Sequence, residues 1–121
     1  MRFFAAKMAA ATLLVITPAI AVAGQDRDRF GHDAIEAGQY DEAEAALRAD
    51  LALSPEMPEA LLNLAAIYTR TNRADAAQAL YARVLKAGNV SMLLTPTTAL
   101  DSHAIARRGL RKIETARMAA R

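Results

Sequence analysis

GQYDEAEAALRADLALSP, residues 38–55, opens on a helix breaker, closes on proline and holds mostly alanine, leucine and acids in between. Its apolar residues recur at helical spacing, which predicts one amphipathic helix punctuated at both ends. The face to be buried is built largely of short side chains. Small contact residues let two helix axes come close, so this helix calls for a partner helix packed tightly against it.

The whole chain has the composition for such packing. Of its 121 residues 54% are apolar but only 5% aromatic, and much of the apolar share is alanine. That balance suits helices on helices and argues against a β-sandwich or barrel, which draws on β-branched and aromatic runs. The length allows one small domain.

The first residues are a separate matter. In MRFFAAKMAAATLLVITPAIAVAG, Arg2 and Lys7 precede an apolar run from Met8 to Ile16. Pro18 breaks that run, and Ala21-Val22-Ala23 stands before Gly24. This order predicts a secretory signal peptide over residues 1–23, cleaved after Ala23. The rival is a membrane anchor. A spanning helix needs about 20 apolar residues, whereas Met8 to Ala23 supplies sixteen, interrupted by Pro18 and two threonines. The chain has no cysteine, so neither a lipid-anchored form nor disulfide or thiol chemistry is expected. The expected location is therefore outside the cytoplasm, in the periplasm.

Cleavage changes the charge argument. The full chain holds 15 basic and 13 acidic residues, and Arg2 and Lys7 would leave with the signal. The remainder is neutral, which removes the case for nucleic-acid binding from the high isoelectric point. Its charges are segregated: residues 24–75 carry 11 acids against 5 bases, and residues 76–121 carry 2 acids against 8 bases. An acidic front faces a basic back.

Sliding the opening stretch forward by 34 residues places it on NRADAAQALYARVLKAGN. Asp41 falls on Asp75, Ala43 on Ala77, Ala45 on Ala79 and Leu51 on Leu85. Gly38 falls on Asn72, and glycine and asparagine are the residues that best tolerate the left-handed conformation after a helix. The turn therefore repeats along with the apolar stripe.

In this spacing the chain resembles the tetratricopeptide repeat family, helix-turn-helix units of 34 residues with the pattern W-x2-L-G-x2-Y, A-x3-F, P. The second copy matches at Leu61, Leu64, Ala65 and Tyr68, then Ala77 and Tyr81, with Asn89 where the closing proline would stand. The first copy offers Arg27, Phe30, Gly31 and Ala34, then Ala43, Leu47 and Pro55. It fits from Gly31 onward and departs before it, since Arg27 and Ala34 replace large aromatics. The resemblance implies an all-α solenoid fragment: repeats at residues 24–57 and 58–89, each an antiparallel helix pair. Gly31 or Ala65 on one helix would meet Ala43 or Ala77 on the next, with leucines filling the space around that contact.

Two such units do not close a core, and a polar-faced capping helix is usual. Residues 90–100, loop-like around Pro96, read as a linker. Residues 101–121 read as a basic amphipathic helix that Asp101 or Ser102 could cap. Ile105, Ala106, Leu110, Ile113 and Ala116 share one face, with Gly109 near it to allow close packing; Arg107, Arg108, Arg111, Lys112 and Arg117 surround the others. Three roles compete for this tail: an intramolecular cap for the acidic front, a grip on an acidic partner, and contact with an anionic membrane. The last ranks lowest, because the apolar face lacks bulky aromatics.

The catalytic inventory is thin. His32 and Glu36 lie four apart, but two ligands make a poor zinc site. Asp101, Ser102 and His103 are contiguous, whereas a catalytic triad converges from separate elements. Asp41, Glu42 and Glu44 read as an ordinary acidic helix start. No glycine-rich phosphate loop follows a strand. No catalytic, metal or cofactor site is expected.

The resemblance implies instead a non-catalytic scaffold whose concave groove receives a peptide or partner helix. By alignment its lining in the second copy would be Glu59, Leu62, Asn63, Ala66, Thr69 and Arg70. The expected partner is another protein of the cell envelope, and self-association would equally cover an exposed edge. The alternative is a structural accessory subunit of a larger envelope complex that folds on assembly.

Overall fold

The computed structural model describes residues 32–121. The expected signal peptide, Phe30 and Gly31 lie outside them. Four helices follow in order: α1 (His32–Glu36), α2 (Tyr40–Leu53), α3 (Pro58–Arg70) and α4 (Ala74–Lys86). A two-stranded hairpin, β1 (Ser91–Thr95) and β2 (Thr98–Asp101), then leads into α5 (Ser102–Ala119). The architecture is the expected helical one, with α2 packed on α3, α3 on α4, and α5 against both α3 and α4.

The repeated turn recurs in the structure. Gly38 and Asn72 have positive φ, 75° and 60°. Each is followed by a backbone N–H that reaches back five residues: Gln39 N to Ala34 O at 2.8 Å, and Arg73 N to Tyr68 O at 2.7 Å. These bonds satisfy carbonyls left open at the end of the preceding helix and reverse the chain. Between the repeats, Pro55 follows the end of α2, and Pro58 opens α3, where its missing N–H is no loss.

The core is the sequence stripe. Ala43, Leu47, Leu61, Leu64, Ala65, Tyr68, Ala77 and Tyr81 are all buried, and Gly38 and Pro55 remain in exposed turns. Ala65 and Ala77 are completely covered, as a close α3–α4 approach requires. Helix α3 is the centre of the stack and buries seven of its residues.

A second tie joins the repeats. Arg73 donates from Nη1 and Nη2 to the two carboxylate oxygens of Glu44, at 3.0 and 2.6 Å, and lies 4.3 Å above the Tyr68 ring. Arg48 bonds the same carboxylate at 2.7 Å and the Tyr68 hydroxyl at 2.9 Å. Glu44 is thus not simply part of an acidic helix start. Hydrogen bonding to Arg73, aided by the charges of Arg73 and Arg48 and opposed by partial burial, holds its carboxyl below the usual range.

Residues 90–100 are not the linker loop expected from the sequence. Ser91 pairs with Asp101, Met92 with Leu100 and Leu93 with Ala99 in an antiparallel ribbon turned at Pro96-Thr97. The strands are too short to display a period of two, and the turn lacks the asparagine–glycine signal of common hairpins. Proline in the turn and threonines beside it serve instead.

Helix α5 starts where expected, but neither Asp101 nor Ser102 caps it. Asp101 makes no side-chain cap bond. The Asn89 carboxamide oxygen, from before the hairpin, accepts the His103 N–H at 3.1 Å. Ser102, fully buried, accepts Val90 N–H at 3.0 Å, and His103 Nε2 donates to Ala87 O at 2.8 Å. These contacts tie the base of the hairpin and the start of α5 to the end of α4.

Candidate functional site: the groove between α3 and α5

Helix α5 runs antiparallel to α4. Its N-terminus is fixed at Ala87 and Asn89, its middle lies on Tyr81, and Arg117 reaches Asp75 and, at 3.0 Å, Gln78 in the first turns of α4. Ala106 and Ile113 are buried beneath it. The crossing is close because residue 109 is glycine: a β-carbon there would stand 2.6 and 2.7 Å from two ring carbons of Tyr81 and nearer still to a third.

This docking creates a concave strip between α3 and α5. Ala66, Thr69 and Arg70 from α3 meet Tyr81 from α4 and Gly109 and Lys112 from α5 around a cavity of about 100 Å³. Three of the six groove residues expected from the sequence therefore come together. Glu59 and Asn63 are half-buried farther along α3. Leu62 is a correction: it is 5% exposed and belongs to the core. Neighbours on both sides of α3 bury a wider arc than a single groove-facing stripe would leave open.

The other half of the cavity carries no motif in the sequence. Tyr81 was a packing position in the repeat pattern, and Lys112 was one of several tail bases. The sequence did contain a signal in Gly109, placed near the apolar face of a basic helix. Burial pushes the Tyr81 hydroxyl up from its ordinary pKa, while hydrogen bonding with Thr69 and the positive charge of Arg70 pull it back. The phenol lines the same cavity as both groups.

Lys112 also borders a broader depression on α5, about 640 Å³, shared with Arg108, Arg111, Thr115, Ala116 and Ala119. Arg117 alone among the tail bases bonds an acid within the described residues. Arg70, Arg108, Arg111 and Lys112 are exposed and have no acidic partner there.

Reactive groups do not converge on this strip. His103 points to the Ala87 carbonyl and Ser102 is engaged by Val90 and Asn89, so Asp101, Ser102 and His103 serve the start of α5. Among the described residues no three of His, Cys, Asp and Glu are grouped to hold a metal ion. Nor is any described helix long and apolar enough to cross a membrane.

Antiparallel helix pairs stacked at a fixed period, with one turn geometry used twice and a strip open along α3, define a helical-repeat protein. Residues 34–91 match the family model described as tetratricopeptide repeat. The chain is a tetratricopeptide repeat protein over that segment. Such domains generally mediate protein–protein interaction and are generally non-catalytic. No curated protein and no solved structure matches the chain.

Proposed function

We propose that the protein is an exported adaptor of the bacterial envelope that receives a segment of another envelope protein in the strip between α3 and α5. The observation that carries this reading is the cavity joining Ala66, Thr69 and Arg70 to Tyr81, Gly109 and Lys112. It brings small, polar and charged side chains from three helices together around a space the size of one side chain, as pockets that read a bound peptide do. The apolar run before Ala23, with Arg2 and Lys7 ahead of it, supports export to the periplasm.

The test is a photo-crosslinking residue placed at Thr69, and in a second variant at Ala49 on the exposed face of α2, in intact cells. A discrete product from the first position and none from the second supports the groove. Equal products from both, or none, refute it. Amino-terminal sequencing of the purified protein tests export, which requires a chain beginning at Gly24.

A second reading, an accessory subunit completed by assembly, is favoured by the exposure of Leu53, Leu93, Leu94 and Met118. Association with a partner or with a second copy would cover them. An isolated chain that melts cooperatively favours the adaptor, and one that is unfolded alone favours the accessory subunit.

A further inference from the structure

We infer that the α3–α5 strip is an anion-reading site for an acidic polypeptide segment, with one glutamate or aspartate side chain seated between Arg70 and Lys112. The inference rests on the strip being the binding face and specifies what that face selects.

Volume restricts the occupant. The cavity holds about 100 Å³, well below the several hundred typical of a small-molecule pocket. It is roughly three times the share of one water molecule in the liquid, which suits the end of an acidic side chain. It is lined by Ala66, Thr69, Tyr81 and Gly109 and takes one cation from each of two helices, Arg70 from α3 and Lys112 from α5. The Thr69 hydroxyl already donates to the Ala65 carbonyl at 2.9 Å, so a carboxylate there would accept from the two cations, the arrangement that gives charge-assisted bonds their strength.

Charge extends the site in one direction. Lys112 belongs both to this cavity and to the depression lined by Arg108 and Arg111. Unpaired like charges gathered on one surface raise the local concentration of anions and steer their approach. A ligand anchored at Arg70 and Lys112 therefore continues along α5 with further acids, which favours an internal acidic stretch over a chain end.

Other polyanions fit less well. The depression beside Lys112 presents Thr115, Ala116 and Ala119 rather than bulky apolar side chains, so nothing there would enter a bilayer. Tyr81, the aromatic of the cavity, is 7% exposed and packed under Gly109, leaving no platform on which a base could stack.

The test is a titration of the isotope-labelled full chain, followed by amide NMR. The probe is a short N-acetylated, C-amidated peptide alternating glutamate and alanine, and the control is the same peptide with glutamine. The glutamate peptide should shift the amides of Thr69, Gly109 and Lys112, weaken as salt rises, and bind more tightly than the control. Arg70→Gln and Lys112→Gln should each weaken it by about fivefold, with melting temperatures unchanged, and Arg121→Gln should not.

Equal affinity for both peptides, or indifference to Arg70→Gln and Lys112→Gln, overturns the anionic selection while leaving the groove as a peptide site. Tighter binding of a thymidine oligonucleotide or of phosphatidylglycerol vesicles overturns the polypeptide assignment. If neither peptide moves any resonance of the strip, the groove reading fails as well.

Discussion

Replacing Gly109 with alanine is the sharpest trial of how α5 is held. In an exposed helix this change is favourable by roughly 0.5–1 kcal/mol, because alanine loses less backbone freedom on folding. Here the added carbon would meet Cε2 and Cε1 of Tyr81 at 2.6 and 2.7 Å, against ordinary contact near 3.5–4.0 Å. Ring or helix must give way by about 1 Å. Tyr81 is buried, so the ring can yield only toward the small cavity it lines. Overpacking of this kind costs about 1–3 kcal/mol. After the helix gain is subtracted, the net loss is about 1 kcal/mol, or roughly 5 °C in melting temperature for a domain of this size.

Thermal melts of wild type, Gly109→Ala, Tyr81→Leu and the double variant measure it. The alanine should destabilise the wild type and become neutral or favourable once the ring is gone. Gly88→Ala, where a β-carbon would meet nothing within 4 Å, is the control. A Gly109→Ala protein that melts above wild type would show that α5 does not lie on Tyr81. The cavity, which Gly109 lines, would then lose its third wall.

Glu44→Gln should lower stability at neutral pH. Because the folded Glu44 carboxyl titrates below its ordinary 4.5, its contribution is complete above that value and disappears as the pH falls beneath it. Melts across the acid range should show the wild-type advantage shrinking there, and a constant gap refutes the Arg73 tie. Gly38→Ala, at φ 75°, should cost about 1–2 kcal/mol in chemical denaturation, and an unchanged midpoint would refute the left-handed turn. Asn89→Ala should cost about 1 kcal/mol and speed amide exchange in the first turn of α5. Asp101→Ala should do neither, since its carboxylate makes no cap bond; the opposite order would place the cap at Asp101.

What could be read in advance follows from the range of the interactions. The period of 34 and the Gly38–Asn72 correspondence are local features, repeated almost without change, and they delivered the turns and the buried alanines. The tie made by Glu44 is not legible locally, because its partner, Arg73, is 29 residues away and an acid near a helix start already has a sufficient local reason to be there. The hairpin escaped because four- and five-residue strands carry little pattern. In the sequence Asn89 stands only as the residue in place of the repeat's closing proline. Its role as the cap of a helix that begins beyond the hairpin depends on β1 and β2 bringing the chain back to the same point. Leu62 was displaced from groove to core by neighbours that alignment of a single helix does not represent.

The three competing roles of the basic tail separate by face rather than by winner. Ala106, Ile113 and the Gly109 notch close the stack, and Arg117 ties to the acidic first turn of α4. That spends one side of α5 and one of its cations on capping. Helical geometry then fixes Arg108, Arg111, Lys112 and Thr115 three and four residues apart on another side, which the cap does not use. A free basic helix could present the same charges, but without rigid placement across from Arg70. Capping is therefore the condition for reading an acid here. Pairing two cations across a cavity requires that the helix bearing one be fixed relative to the helix bearing the other, and the Gly109–Tyr81 contact supplies that fixed distance.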